Sequence, residues 1–258
     1  MKRILFILIA IFSLQIVKGQ NENLRFGFTA SPGLTWWKPD NTAHESGGAR
    51  FALNYGVLID YKFGNNSRYA LSTGLLLTLD GGKLVGTGTQ DEIIDLGGGG
   101  ERFGIFNNNT FRLPPFDTIT RNIVTTMTTK TQHLQIPMAL KLRSNEVGYI
   151  TYYGSLGVIP AFTIRRRADL TKSIDDVVII NEENIDAKNL DFYPNKIKNI
   201  NPFDLGLSFE AGLEYSMTEN TALVGGLFFT NGFINQLDDD DKERVATRNF
   251  GIRIGVLF

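Results

Sequence analysis

The chain has no cysteine and only two histidines in 258 residues. The first absence excludes a disulfide-stapled secreted domain and a lipid-modified cysteine at the mature N-terminus. The second leaves little material for a metal centre or a histidine-dependent hydrolase. Charge of one sign is also missing: the formal net charge is −1, which gives no reason to expect nucleic acid as a partner. Beyond residue 19 no apolar run approaches the roughly 20 residues that a bilayer-spanning helix needs. If the mature chain enters a membrane, it does so as a closed barrel of strands.

What is present begins with an export signal. Lys2 and Arg3 form a basic start, Ile4 to Val17 an apolar core broken by Ser13 and Gln15, and Gly19 offers cleavage before Gln20. That core is too short for an anchor, so residues 1–19 are expected to be a cleaved signal and residues 20–258 a single domain. A content of 27 Gly, 19 Phe and 8 Tyr suits sheet structure.

Period-two alternation dominates the mature chain. Leu24, Phe26, Phe28, Ala30, Leu34 and Trp36 alternate with Arg25, Gly27, Thr29, Ser31 and Thr35. Phe51 to Phe63 alternates just as cleanly, apart from Leu58. Further segments run over residues 69–79, 134–142, 150–164, 203–215 and 250–258, and a less regular one over 221–232. Pro137 and Pro160 fall inside this pattern, and each is expected to mark a bulge or strand end, because proline cannot donate to a ladder. About eight segments result, each long enough to cross the hydrocarbon layer as a tilted strand.

The connections alternate in length. Gly64–Arg68, Ser144–Gly148 and Met217–Asn220 are short, whereas Lys38–Gly48, Asp80–Arg121, Ala168–Asn201 and Gly232–Ala246 are long. Three short inner turns and four long outer loops are the arrangement of an all-β, eight-stranded antiparallel up-and-down transmembrane barrel with both termini in the periplasm. The inverse reading, a lipocalin-like barrel with a greasy interior, is opposed by the small residues of the polar face. It is opposed too by aromatics placed as a girdle: Trp36, Trp37, Tyr61, Tyr69, Tyr149, Tyr152, Tyr153 and Tyr215.

By phase, Arg25, Asp60, Lys62, Lys141, Glu210, Glu214 and Arg253 face the lumen, where confined charges must pair; a structural ion-pair plug is favoured over an ion path. His133 faces inward with Thr131 and Gln135 as same-face neighbours, poor candidates for nucleophile or carboxylate, so it reads as a hydrogen-bonded lumen residue. His44 belongs to the first outer loop. The run Arg165, Arg166, Arg167 at an outer strand end suits contact with lipopolysaccharide phosphates, or simple solvation. Asp238 to Asp241 form an acidic knot that reads first as a solvated loop and second as a cation site. Residues 173–199 suit a short hairpin or a helix above the rim. No catalytic residue, metal or cofactor is expected.

The opening strand Leu24-Arg25-Phe26-Gly27-Phe28, the segment His133 to Lys141, the glycine-rich Tyr152 to Gly157, and Asp204-Leu205-Gly206 leading to Ala211-Gly212-Leu213-Glu214-Tyr215 together resemble the PorT-like, porin-family outer-membrane barrels typical of Bacteroidota-type bacteria. The resemblance implies a non-enzymatic structural or interaction component, with service as an accessory to type IX secretion among the roles of such proteins. A small-solute channel is the alternative, and a lipid-modifying or proteolytic barrel a weaker third. Expected partners are outer-membrane lipids and lipopolysaccharide from the arginine run, the outer-membrane assembly machinery from the last strand, and, from the resemblance, secretion-apparatus proteins. Gly97 to Gly100 match no motif of that family.

The last strand, closed by Phe258, resembles the signal that the assembly machinery recognises. Deleting Phe258 is therefore expected to lower the yield of folded protein extractable from the membrane, read as the heat-modifiable band on a gel; an unchanged yield would remove Phe258 from that role.

Overall fold

A computed structural model describes residues 23–40, 44–63, 68–94, 117–174, 177–186, 188–192, 195–218, 220–239 and 244–258. The expected signal segment, Gly97 to Gly100, and Asp240 and Asp241 lie outside them. The strands are β1 (Leu24–Pro39), β2 (His44–Ser46), β3 (Arg50–Lys62), β4 (Tyr69–Asp80), β5 (Lys83–Ile94), β6 (Asp117–Gln135), β7 (Met138–Arg143), β8 (Ile150–Ile174), β9 (Val177–Asp186), β10 (Lys188–Phe192), β11 (Asn195–Ile200), β12 (Phe203–Ser216), β13 (Ala222–Gly232), β14 (Leu237–Asp239) and β15 (Val245–Leu257).

Eight staves close a ring in the order β1, β3, β4, β6 with β7, β8, β12, β13, β15 and back to β1, and every neighbouring pair is antiparallel. β6 and β7 are one stave interrupted at Ile136 and Pro137. There Ile136 N–H still donates to the Pro160 carbonyl at 3.0 Å on the neighbouring stave. Pro137 thus marks a strand end as expected, whereas Pro160 stays inside β8, in register with Leu205. The seam between the first and last staves is locked by a reciprocal pair, Phe26 N–H to Phe258 O at 3.2 Å and Phe258 N–H to Phe26 O at 2.6 Å.

The apolar face lies outside. Phe28, Phe51, Leu75, Leu156, Ile164 and Ile254 are all exposed, Phe51 by 69%, while Thr29, Ser31, Asn54, Asp60, Thr78 and Glu214 are buried within the ring. A soluble barrel with a greasy interior would show the reverse. Of the expected girdle, Tyr61, Tyr69, Tyr149, Tyr152 and Tyr215 are exposed near the short turns. Trp37 and Tyr153 are not girdle residues. Each falls on the inward phase of its strand, and they are only 2% and 5% exposed.

The staves reach further outward than the alternation of greasy and polar residues indicates. The region expected as a loop over 80–121 contains β5 and the start of β6, and β8 continues to Ile174. β5 prolongs β4 along the edge of β6 after a break at Gly81 and Gly82. Within β6, Thr125, Thr126, Thr128, Thr129 and Thr131 supply β-branched strand propensity with little apolar contrast, so the segment is strand without a hydropathy signal. β9, β10 and β11 are strands rather than a helix, with β9 on the outer part of β8, and β10 antiparallel to β11, which pairs in turn with β14.

These extensions share an apolar core above the membrane belt: Trp37, Leu84, Met127, Ala168, Leu170, Ile200, Leu237 and Val245. Trp37 sits directly on Gly82, where a methyl group would lie 2.1 Å from the indole. Replacing Trp37 by Ala should cost the outer core roughly 3–5 kcal/mol. Limited proteolysis from outside should then cut the extensions faster while the ring stays heat-modifiable; unchanged protease resistance would show that Trp37 does not hold the outer core together.

Candidate functional site

The inward positions of β1, β3, β7 and β12 meet near the short-turn end. Arg25 donates to Glu214 at 2.9 and 3.2 Å and to Asp60 at 3.5 Å. Lys141 bridges the same carboxylates, at 2.9 Å to Asp60 and 2.6 Å to Glu214. Ser72 Oγ donates to Asp60 at 2.6 Å, and Arg143 closes on Glu214 at 2.5 Å. Glu214 and Asp60 are each 1% exposed. Unpaired charges at such depth would be costly, so each carboxylate is surrounded by donors.

A second pair lies one layer further in, with Arg253 Nε 3.3 Å from Glu210. Tyr153 ties the two layers together: its hydroxyl donates to Glu210 at 2.6 Å, and its ring lies under Lys141 Nζ at 4.2 Å. Of the lumen charges expected from phase, Lys62 alone stands apart. It lines the inner mouth beside Arg25 and Arg143, around a cavity of about 280 Å³. Arg143 and Tyr153 belong to the network but were not expected there. The signal for both is the inward phase of their strands, hidden because the alternation ends at Leu142 and because Tyr153 suits a girdle.

Above these layers His133 Nε2 lies 3.1 Å from Asp80, its Nδ1 3.0 Å from the Thr163 hydroxyl, and Thr131 donates to Asp80 at 2.5 Å. Asp204 lies across a cavity of about 20 Å³, room for one water molecule. The sequence does not pair His133 with Asp80, because hydropathy places Asp80 at the start of an outer loop. A carboxylate, an imidazole and a hydroxyl in sequence have the form of a relay, yet Thr163 Oγ also donates to the Asn201 carbonyl at 3.2 Å. His44 is buried in β2.

The three arginines part company. β8 gains a residue against β6 between His133 and Gln132, so that Ile164 has no opposite number. A bulge of this kind re-aims the side chains beyond it. Arg166 turns inward and donates to the Ile200 carbonyl, whereas Arg165 and Arg167 line an outward-facing cavity with Lys130.

A ring without an edge, greasy around its girth and ion-paired within, is the construction of an integral barrel of the outer membrane. The model of the family described as outer membrane protein beta-barrel domain matches residues 18–238, and the chain belongs to that family. Among solved structures the chain is similar to neisserial surface protein A, at 12% identity over 93% of this chain and 98% of that one, with a TM-score of 0.37. It is also similar to Ail, the attachment invasion locus protein of Yersinia pestis, at 13% identity over 92% and 99%, TM-score 0.37. OprG from Pseudomonas aeruginosa is similar at 14% identity over 91% and 94%, TM-score 0.36. The sequence has no match among curated proteins.

Glu214 holds three cations, Arg25, Lys141 and Arg143. Glu214→Ala leaves them with Asp60 alone and should destabilise the folded barrel by roughly 3–5 kcal/mol in urea unfolding from lipid vesicles. A midpoint unchanged from the parent would mean the network carries no stability.

Proposed function

We propose that this protein is a non-enzymatic barrel whose lumen is sealed and whose task is carried by the outer surface it supports. The observation that supports this reading is the stacking of filled layers along the lumen. The Glu214 cluster, the Tyr153 and Glu210 layer with Arg253 beside the Phe228 ring, and the outer core follow one another, and the cavities of about 280 and 20 Å³ are separate. An eight-strand interior is just wide enough for side chains to fill it. A rigid ring that conducts nothing still presents loops, and loops on a rigid scaffold are where recognition is placed.

The accessory role in type IX secretion rests on the sequence resemblance alone; copurification of secretion components from native membranes is its test. A small-solute channel is the second reading, favoured by the open inner mouth. Purified protein in planar bilayers is expected to give no reproducible single-channel openings, and large, reproducible conductance would replace the sealed reading with the channel.

A further inference from the structure

We infer that the outer rim at the seam of β3, β4, β6 and β8 is a binding site for a phosphorylated lipid of the outer leaflet, lipopolysaccharide in chemical class. Arg50, Lys130, Arg165 and Arg167 would hold its phosphates, and Phe51, Leu53 and Leu79 would receive an acyl chain. The assignment rests on the barrel's orientation, with the long-loop end outward.

The site is built in three ways. First, the bulge at Ile164 turns Arg165 and Arg167 onto the outer face, next to Lys130 in register with Arg167. Regular alternation from Phe162 and Ile164 would instead have sent Arg166 outward and its two neighbours into the interior. Second, Arg50 and Arg165 make no ion pair among the described side chains, Arg167 stands opposite Asp186 in the β8–β9 ladder, and Lys130 pairs with Asp169 at 2.9 Å while 56% exposed. Asp80 also lines the cavity but is engaged by His133 and Thr131, so the guanidinium groups keep capacity for paired hydrogen bonds to phosphate oxygens. Third, the cations share one cavity of about 460 Å³ with Phe51, Leu53 and Leu79. Phe51 belongs to the apolar belt and is 69% exposed.

Cations above and grease below match a lipid whose charged head sits at the interface and whose chains run down the barrel wall. A soluble acidic protein matches only the upper half. The outer core fixes the geometry from behind, since Arg166, between Arg165 and Arg167, is anchored to the Ile200 carbonyl.

The test uses the full mature barrel in detergent, with diphosphoryl lipid A, its dephosphorylated counterpart and inorganic phosphate as probes, and retained lipid counted by native mass spectrometry. Arg165→Ala with Arg167→Ala should lower retention of the diphosphoryl lipid about tenfold or more, as expected for loss of charge-assisted hydrogen bonds. Arg165→Lys with Arg167→Lys should keep part of it, and Arg68→Ala at the opposite rim should change nothing. Folding of each variant is checked by heat-modifiable mobility, with the Gln pair replacing the Ala pair if the latter does not fold. Equal retention by parent and double variant, or equal retention of the dephosphorylated lipid, would overturn the site. Displacement of the lipid by millimolar inorganic phosphate would reassign it to free phosphate and overturn the lipid assignment.

Discussion

The structure depends on closure. In hydrocarbon no water is available to an unpaired N–H or C=O, so a strand protein can stay there only if its first and last strands meet. Here they meet through the β1–β15 ladder and the reciprocal bonds of Phe26 and Phe258, with short turns and both ends of the described chain gathered at one side. With eight staves the ring is narrow, and the narrowness dictates the interior. Side chains on the inward phase face one another at contact distance, so Glu214 and Asp60 must be met by Arg25, Lys141 and Arg143. The lumen charges are a consequence of the ring's girth.

The same staves do a second job beyond the membrane belt. β4 with β5, β6 and β8 carry the ladder outward, and the inward phase that holds Thr, Asp and His within the belt switches to Trp37, Leu84, Met127 and Leu170 above it. A polar lumen lies under an apolar cap. On the proposed reading the cap closes the outer end, and the extensions carry the surface that a partner would meet.

Much of this was legible in the chain, because a membrane barrel writes its two faces at period two. Phe51, Tyr55 and Leu75 outward, and Arg25, Asp60 and Glu214 inward, follow from alternation alone. Legibility failed where hydropathy no longer separates the faces. β5 and the start of β6 fall in the stretch that reads as a loop over 80–121, and the threonines that follow in β6 are strand-forming with little apolar contrast, so Asp80 is separated from His133 in the sequence reading. It failed again at the bulge, because one unpaired residue at Ile164 reverses the phase of everything beyond it without leaving a mark in composition. Trp37 and Tyr153 misled for a related reason: aromatics at strand ends suit a girdle, and only phase showed that these two point inward.

The sealed lumen is the central claim, and the absence of native cysteine offers a clean way to probe it. Thr78 is fully buried inside the ring, beneath the outer core, while Lys172 stands on the outer part of β8. With a single cysteine at either position, a small water-soluble thiol reagent added to intact cells is predicted to label the Lys172→Cys protein and leave Thr78→Cys unreacted. Labelling of both at similar rates would mean that water and solutes pass the cap, and would contradict a sealed barrel.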